Sequence, residues 1–396
     1  MIEIGEPREE HREQVARVLS VALNFGPSWI EHRAPFLQLD HFRCAFDDGY
    51  VVATAAAHRL TQWFGGRELP CSGIYAVATL PEYRGAGLAS QTVGTLLDEA
   101  RGAGMPISTL FPSVLRPYRR LGFEMAGVQL EHEVALSDLP VVSIALDVRE
   151  YDPGEIGEIR DCYRRAAASA NGPIDSDEPD WWAVRVMGHW NTDVVWRAVT
   201  CRDDEGVVRG YASYYHDKAE GPLDPAFRVV CKHLVAETPE ALRSLVAYFR
   251  SFRGMGQALA FYGPPNHPLA MLLPEQRIRE KWSYRWMLRL LDVAAALEGR
   301  GYPSVSGEVV IAVDDPNVEP NRGPFRVTAD DGKVRIERAD GGARRPIPIG
   351  ALASIFSGHL PVDAAVQLGY LDTDDPAVPL LRELFAGPPP WMYDFF

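Results

Sequence analysis

Long hydrophobic runs are missing from this chain of 396 residues. No apolar stretch approaches the roughly 20 residues that span a bilayer, so no membrane-spanning helix is expected. Cysteine is scarce. The five present (Cys44, Cys71, Cys162, Cys201, Cys231) are odd in number and never form a C-x-x-C pair. That argues against disulfides and a thiolate metal site and fits a reducing cytoplasm. Positive charge is also short: 40 Lys and Arg against 54 Asp and Glu leave a formal net charge of −14. A nucleic-acid-binding surface wants a basic stripe, which this balance disfavours. The acidic balance is compatible with cationic substrates, and equally with solubility alone. Met1-Ile2-Glu3-Ile4-Gly5 is acidic where a signal peptide is basic and then apolar. His41, His58, His233 and His359 lack metal-ligand spacing, so they read as core or surface histidines and no metal is expected. Neither a G-x-G-x-x-G fingerprint nor a G-K-[ST] loop occurs at the glycine-rich turn described below.

What is present is ordinary in bulk and specific in detail. A hydrophobic content of 46% and a charged content of 24% are those of a globular protein. The length predicts two or three domains. The first segment reads β-α-β-β-β-α-β-α-β: a strand at 2–5, a helix over 9–23, and strands near 42–46, 51–64 and 69–79. A helix at 91–101, a short strand at 107–111, one or two helical turns at 117–121 and a strand near 123–130 follow. The second segment, about 140 to 285, partly repeats this order. It has a helix at 163–170, strands at 195–201, 207–215 and 227–236, and a helix opened by Thr238 as N-cap with Pro239 at N1. The third segment is predicted to open with an apolar helix over 286–297. Strands near 307–313, 325–329 and 333–338 and short helices at 346–357 and 361–368 come after it. It ends Pro388-Pro389-Pro390-Trp391-Met392-Tyr393-Asp394-Phe395-Phe396, where four aromatics in the last six residues call for burial.

Two motifs carry chemistry. In Val77-Ala78-Thr79-Leu80-Pro81-Glu82-Tyr83-Arg84-Gly85-Ala86-Gly87-Leu88-Ala89 a strand-like run ends in an Arg-x-x-Gly-x-Ala turn, and an amphipathic helix follows at once. Glycines let the backbone approach an anion, and the helix start aims N–H groups and a positive dipole end at it. A purely structural turn is the competing reading. The second motif is Pro117-Tyr118-Arg119-Arg120-Leu121-Gly122-Phe123, a tyrosine four residues before Gly-Phe at a helix end. No thread before Thr238 repeats the cradle.

With both motifs at this spacing the chain resembles the GNAT superfamily of acetyl-CoA-dependent N-acetyltransferases. Its domain order, Arg289-Leu290-Leu291-Asp292-Val293 and the Pro-Pro-Trp…Asp-Phe-Phe ending resemble the Eis family within it. The resemblance implies an α/β (α+β) fold with two GNAT-like mixed-sheet modules in tandem and a sterol-carrier-like C-terminal domain. The expected boundaries are 1–137 for the module with the acetyl-CoA site, 138–286 for a module lacking the CoA motif and 287–396 for the last domain. It implies that Tyr118 protonates the departing thiolate and that the terminal carboxylate of Phe396 is the base. Val77, Ala78 and Thr79 would pair with pantetheine, and Arg84, Gly85, Ala86, Gly87, Leu88 and Ala89 would line the diphosphate. Phe25, Trp29, Phe36 and Asp394 are the expected substrate contacts, and a cytoplasmic homohexamer is implied. Arg119 and Arg120 read either as partners of the CoA 3′-phosphate or as solvated charges.

The chemistry fits. An alkyl ammonium must lose a proton before it attacks a thioester, so a base is useful. An α-carboxylate is a feeble one unless partly desolvated. No nucleophile with a paired base is visible, so direct transfer is expected. The substrate is then a primary amine: an aminoglycoside, a small polyamine or a lysine. Two departures from the family pattern stand out. Arg84 is followed by Gly85-Ala86 where many members have further arginines, and the loop after the first helix reads Asn24-Phe25-Gly26 where broad aminoglycoside acetylation goes with acidic residues. The alternative from another class is a non-catalytic acyl-CoA sensor or apolar-ligand carrier.

Overall fold

The computed structural model describes residues 1–26, 29, 31, 34–188, 194–219 and 226–396. The first part of the chain contains β1 (Ile2–Gly5), α1 (Arg12–Leu23), β2 (Phe42–Asp47), β3 (Tyr50–Phe64), β4 (Arg67–Thr79), α2 (Leu88–Gly102), β5 (Ile107–Leu110), α3 (Arg116–Arg120) and β6 (Glu124–Ala135). The middle part contains β7 (Asp147–Glu150), α4 (Ile156–Ala167), β8 (Ile174–Asp175), α5 (Trp181–Met187), β9 (Trp196–Arg202), β10 (Val208–Lys218), β11 (Phe227–Ala236), α6 (Pro239–Arg250), β12 (Gly256–Tyr262) and β13 (Arg279–Leu290). The last part contains α7 (Val293–Gly299), β14 (Gly307–Asp314), β15 (Gly323–Asp330), β16 (Lys333–Arg338), β17 (Pro346–Pro348), α8 (Ile349–Ser357), α9 (Val362–Gln367) and α10 (Ala377–Leu384). Thr238 caps α6 as its sequence signals, accepting from the Ala241 N–H. No helix among the described residues is long and apolar enough to cross a membrane.

The first two halves do not keep separate sheets. One path runs β1-β2-β3-β4-β5-β13-β6-β12-β11-β10-β9-β7. Each half therefore receives a strand from the other: β13 pairs with β5, and β6 pairs with β12, both antiparallel. The two exchanged strands pair with each other from Arg279↔Glu133 to Leu288↔Glu124. The third part has its own sheet, ordered β16-β15-β14-β17. Its core is continuous with β13, because Trp286, Leu288 and Leu290 are buried in one cluster with Leu352, Ile355 and Phe356 of α8.

This exchange explains why the run at 286–297 reads as a helix in the sequence. The run 286–297 is not a helix throughout; it is the end of β13 followed by α7. Trp286, Met287, Leu288 and Leu290 are all buried because β13 is central and covered on both faces. Such a strand loses its alternation and reads like an apolar helix. The helix starts only after Asp292, whose carboxylate accepts from the Ala295 N–H. The helix expected over 163–170 also lies earlier, at Ile156–Ala167.

Candidate active site

Strands β4 and β5 run parallel and pair from Cys71↔Ile107 to Ile74↔Leu110. There β5 ends, while β4 continues to Thr79. The edge of β4 beyond Ile74 is thus left open, and the two strands form a wedge. A bulge marks the point of divergence. Thr54 faces Ala78 and Ala56 faces Tyr75, so Ala55 stands against two residues. Ala76 takes a left-handed φ of 51°, and the Thr54 hydroxyl donates to its carbonyl at 2.9 Å. A bulge of this kind re-aims backbone groups. Val77, Ala78 and Thr79 lie on the open stretch, where an extended pantetheine arm has a strand edge to pair with.

The cradle follows directly. Leu80 leads into a 3-10 turn at Pro81–Tyr83, then Arg84 is extended and Gly87 caps α2 from the left-handed region with φ 78°. Gly87 offers no side-chain cap, so the first N–H groups of α2, including those of Leu88 and Ala89, stay available for an anion. Arg84, Gly85, Ala86 and Gly87 are exposed. The Tyr83 hydroxyl donates to Asp47 at 2.9 Å and ties the turn to β2. The chemistry of this turn suits an anion such as a CoA diphosphate: free backbone N–H groups at the start of α2 and one nearby cation, Arg84. Gly87→Ala forces a methyl into left-handed backbone at about 1–2 kcal/mol. We expect acetyl-CoA affinity to fall roughly 5- to 30-fold, read by titration calorimetry.

Tyr118 sits in α3, with Pro117 in the first turn. Two backbone bonds close the helix onto it: Leu121 N–H at 2.9 Å and Phe123 N–H at 3.1 Å both donate to the Tyr118 carbonyl. Gly122 has φ 87°, and a Cβ there would lie 2.6 Å from Arg289 Nη1. Only glycine fits both demands. Arg289 is buried, and its Nη2 donates to both Asp315 carboxylate oxygens at 2.7 and 2.9 Å. The Gly-Phe of the motif thus anchors the tyrosine to the third part of the chain. Burial, with Tyr284 nearby, pushes the Tyr118 phenol up to about 12. Arg119 is committed to Glu124, at 2.8 and 2.9 Å.

The aromatic ending is laid across all three parts. Asn171 donates its side-chain amide to the Pro388 carbonyl at 3.1 Å and accepts from the Trp391 N–H at 2.9 Å. Val128 of β6 brackets the tail, donating to Pro390 and accepting from Met392, each at 3.1 Å. Tyr393 stacks on His233 with centroids 5.0 Å apart and donates to the Leu234 carbonyl at 3.0 Å. Phe396 ends beside β4. A Cβ on Gly73 would stand 3.0 Å from its ring, and its centroid lies 5.8 Å from that of Phe111. The final residue is therefore at the mouth of the wedge.

Asp394 is a correction. It does not offer a free carboxylate to a substrate ammonium, because Arg185 donates to both of its oxygens, at 2.7 Å through Nε. His233 Nε2 lies 3.2 Å from the same carboxylate. Of the other expected substrate contacts, Phe25 stacks on Trp29 with centroids 4.6 Å apart, and Trp29 packs against the cluster that includes Tyr75. Phe36 is 78% exposed.

The sequence reading missed Glu178. It arrives between β8 and α5 and lies against β3, 120 residues from His58. Its carboxylate accepts from His58 Nδ1 at 2.7 Å and from the Arg59 N–H at 2.6 Å. His41 Nε2 stands 3.9 Å from it. His41 and His58 have no telling spacing along the chain; folding brings both to Glu178. All five cysteines are buried. Burial pushes Cys44, Cys162 and Cys201 up to about 12 and raises Cys71 and Cys231 too, which leaves them inert as nucleophiles.

Comparison with known proteins agrees with this layout. Residues 3–126 and 174–290 each match an acetyltransferase (GNAT) domain model, and 293–393 match a sterol carrier protein domain. An uncharacterized N-acetyltransferase of Streptomyces griseus is 27% identical, covering 89% of this chain and 88% of that one. N-acetyltransferase Eis of Mycobacterium tuberculosis is 27% identical, covering 80% of this chain and 78% of its own. The crystal structure of a GCN5-related N-acetyltransferase from Anabaena variabilis superimposes with a TM-score of 0.91 at 25% identity, covering both chains completely.

Proposed function

Because the chain belongs to the Eis-like GNAT acetyltransferases and takes acetyl-CoA as co-substrate, we propose that it moves the acetyl group directly to a primary amine of an aminoglycoside, a small polyamine or a lysine. In this reading acetyl-CoA lies in the wedge beyond Ile74, its diphosphate at Arg84–Ala89 and its pantetheine along Val77–Thr79. A backbone N–H at the bulge holds the oxyanion of the tetrahedral adduct. Tyr118 gives its proton to the leaving thiolate. The α-carboxylate of Phe396 takes a proton from the amine, directly or through a water. Phe25 and Trp29 contribute an apolar wall on the amine side.

One observation carries the reading: β4 is unpaired by β5 beyond Ile74, Tyr118 shares a buried cluster with Ile74 and Val77, and the Phe396 ring lies over Gly73, although the three come from distant parts of the chain. The inert cysteines support transfer without an acyl-enzyme. The test is thiol release from acetyl-CoA across a panel of aminoglycosides, polyamines and lysine peptides, with products weighed by mass spectrometry. Acetylated amine in step with thiol is the expected result. Acetyl-CoA binding with no thiol release above background on any amine would leave a sensor, and the transferase reading fails.

A further inference from the structure

His58 lies on β3 opposite Gly73, the residue over which the Phe396 ring sits. Its ring is 6.3 Å from the Phe396 ring and stacked on Tyr75 at 4.0 Å. Tyr75 immediately precedes the bulge residue Ala76. His58 therefore faces the amine side of the wedge. Behind it stands Glu178, only 11% exposed. Its Oε1 is fixed by the Arg59 N–H and its Oε2 by His58. The loop carrying it is pinned by Ser176, whose hydroxyl donates to the Arg59 carbonyl at 2.8 Å. The Glu178 pKa is lowered, with His58 and the Arg59 N–H offsetting its burial. An ionised carboxylate accepts, so Nδ1 of His58 carries the proton and Nε2 is left as an acceptor. The other groups facing the pair are His41, which burial keeps neutral, the Tyr75 phenol bonded to His41, and Trp181, whose ring meets His58 edge-on at 5.3 Å.

We propose that His58, oriented by Glu178, is the general base that finally takes the amine's proton. This rests on the transferase reading and refines it: the Phe396 carboxylate makes the first contact with the ammonium, and the proton passes on to Nε2. The reason is base strength. Imidazole is intrinsically a much stronger base than an α-carboxylate, and the stronger base takes a proton from an ammonium more readily. A carboxylate behind an imidazole is the recurrent way to fix its tautomer and stabilise the imidazolium. The balance closes. The ammonium gives one proton to Nε2, the freed nitrogen pair adds to the thioester carbonyl to form the C–N bond, and C–S breaks as the resulting oxyanion reforms the carbonyl. The sulfur takes the Tyr118 proton, and the second proton lost by nitrogen returns to the phenolate through solvent. His58 then releases its proton to solvent.

The test uses the full chain with the best amine of the panel. H58Q is expected to turn over about 100-fold more slowly at pH 7, the lower end of general-base effects, with acetyl-CoA affinity unchanged. Its rate should climb back as the pH approaches the amine's own pKa of about 10, where substrate arrives as free base. E178Q should show the same climb from a smaller loss, and it serves should H58Q fold poorly. Chelator treatment should leave the wild type unaffected. Wild-type turnover in H58Q at pH 7 overturns the proposal, as does a loss that stays constant from pH 7 to 10, which marks a structural role. Activity lost to chelator and restored by zinc overturns it too, assigning His41, His58 and Glu178 to a metal. A wild type inactive on every amine overturns the transferase reading together with this one. An active wild type beside an unimpaired H58Q overturns this one alone.

Discussion

Tyr118→Phe is expected to lower turnover by about 10²–10⁴-fold, the range of a positioned proton donor, while leaving acetyl-CoA affinity and melting temperature near wild type. The ring is what holds the local structure together. It is buried with Phe123, Met287 and Leu291, and its backbone carbonyl closes α3. Removing the hydroxyl alone disturbs none of this. A phenol raised to about 12 by burial stays protonated through the neutral and mildly alkaline range. Tyr118 should therefore put no alkaline limb on the pH–rate profile below pH ~10. Donation from such a phenol to a thiolate is uphill in isolation. It works only if the nitrogen's second proton refills the phenolate as the adduct collapses. Steady-state kinetics with thiol detection check both points. Full activity in the phenylalanine variant would remove Tyr118 from the chemistry.

The parts of this site that the sequence displays are those written in contiguous residues. Arg84 to Ala89 names its own geometry, since two glycines and a helix start need no distant partner to form a cradle. Tyr118 through Phe123 does the same, because Gly122 must be left-handed. The β3–β4 hairpin is legible in its Gly65-Gly66 turn. What the sequence hides is pairing at a distance. Nothing local in Glu124–Ala135 or Arg279–Leu290 says that these strands trade places, and burial on both faces disguised β13 as helix. Glu178 and His58 are invisible as a pair because no spacing rule spans 120 residues. Asp394 looked free only because Arg185, 209 residues away, is not part of its neighbourhood in sequence.

Arg185→Ala should unfasten the tail and with it most of the activity. Strands β11 and β12 also run parallel, and their pairing ends at Cys231↔Phe261 while β11 continues to Ala236. This is a second wedge, related to the first by the strand exchange. No cradle follows it, and the chain's own tail fills it. Tyr393 and Asp394 meet His233 and Leu234 on one side, and Met392 and Tyr393 meet Val128 and Gln129 on the other. The latch is ionic at its centre. Arg185 is nearly enclosed, with its guanidinium over the Tyr163 ring at 4.5 Å and Asp394 as its counter-charge. His233 is a poor replacement cation, because its burial, before any contribution from Arg185, holds its pKa below the usual range. Removing one partner of such a pair typically costs about 3–5 kcal/mol. The cheaper response here is for the last residues to leave the wedge rather than for the sheet to unfold. The variant should keep acetyl-CoA affinity, expose residues 391–396 to carboxypeptidase and turn over at least about 100-fold more slowly, the scale of losing a positioned proton-transfer group. A chain extended by one residue beyond Phe396 should lose turnover too, yet keep its tail protected, because the latch is intact and only the carboxylate has moved. If Arg185→Ala stays protected and active, the latch is not what places Phe396. If the extended chain turns over normally, the terminal carboxylate is not in the reaction.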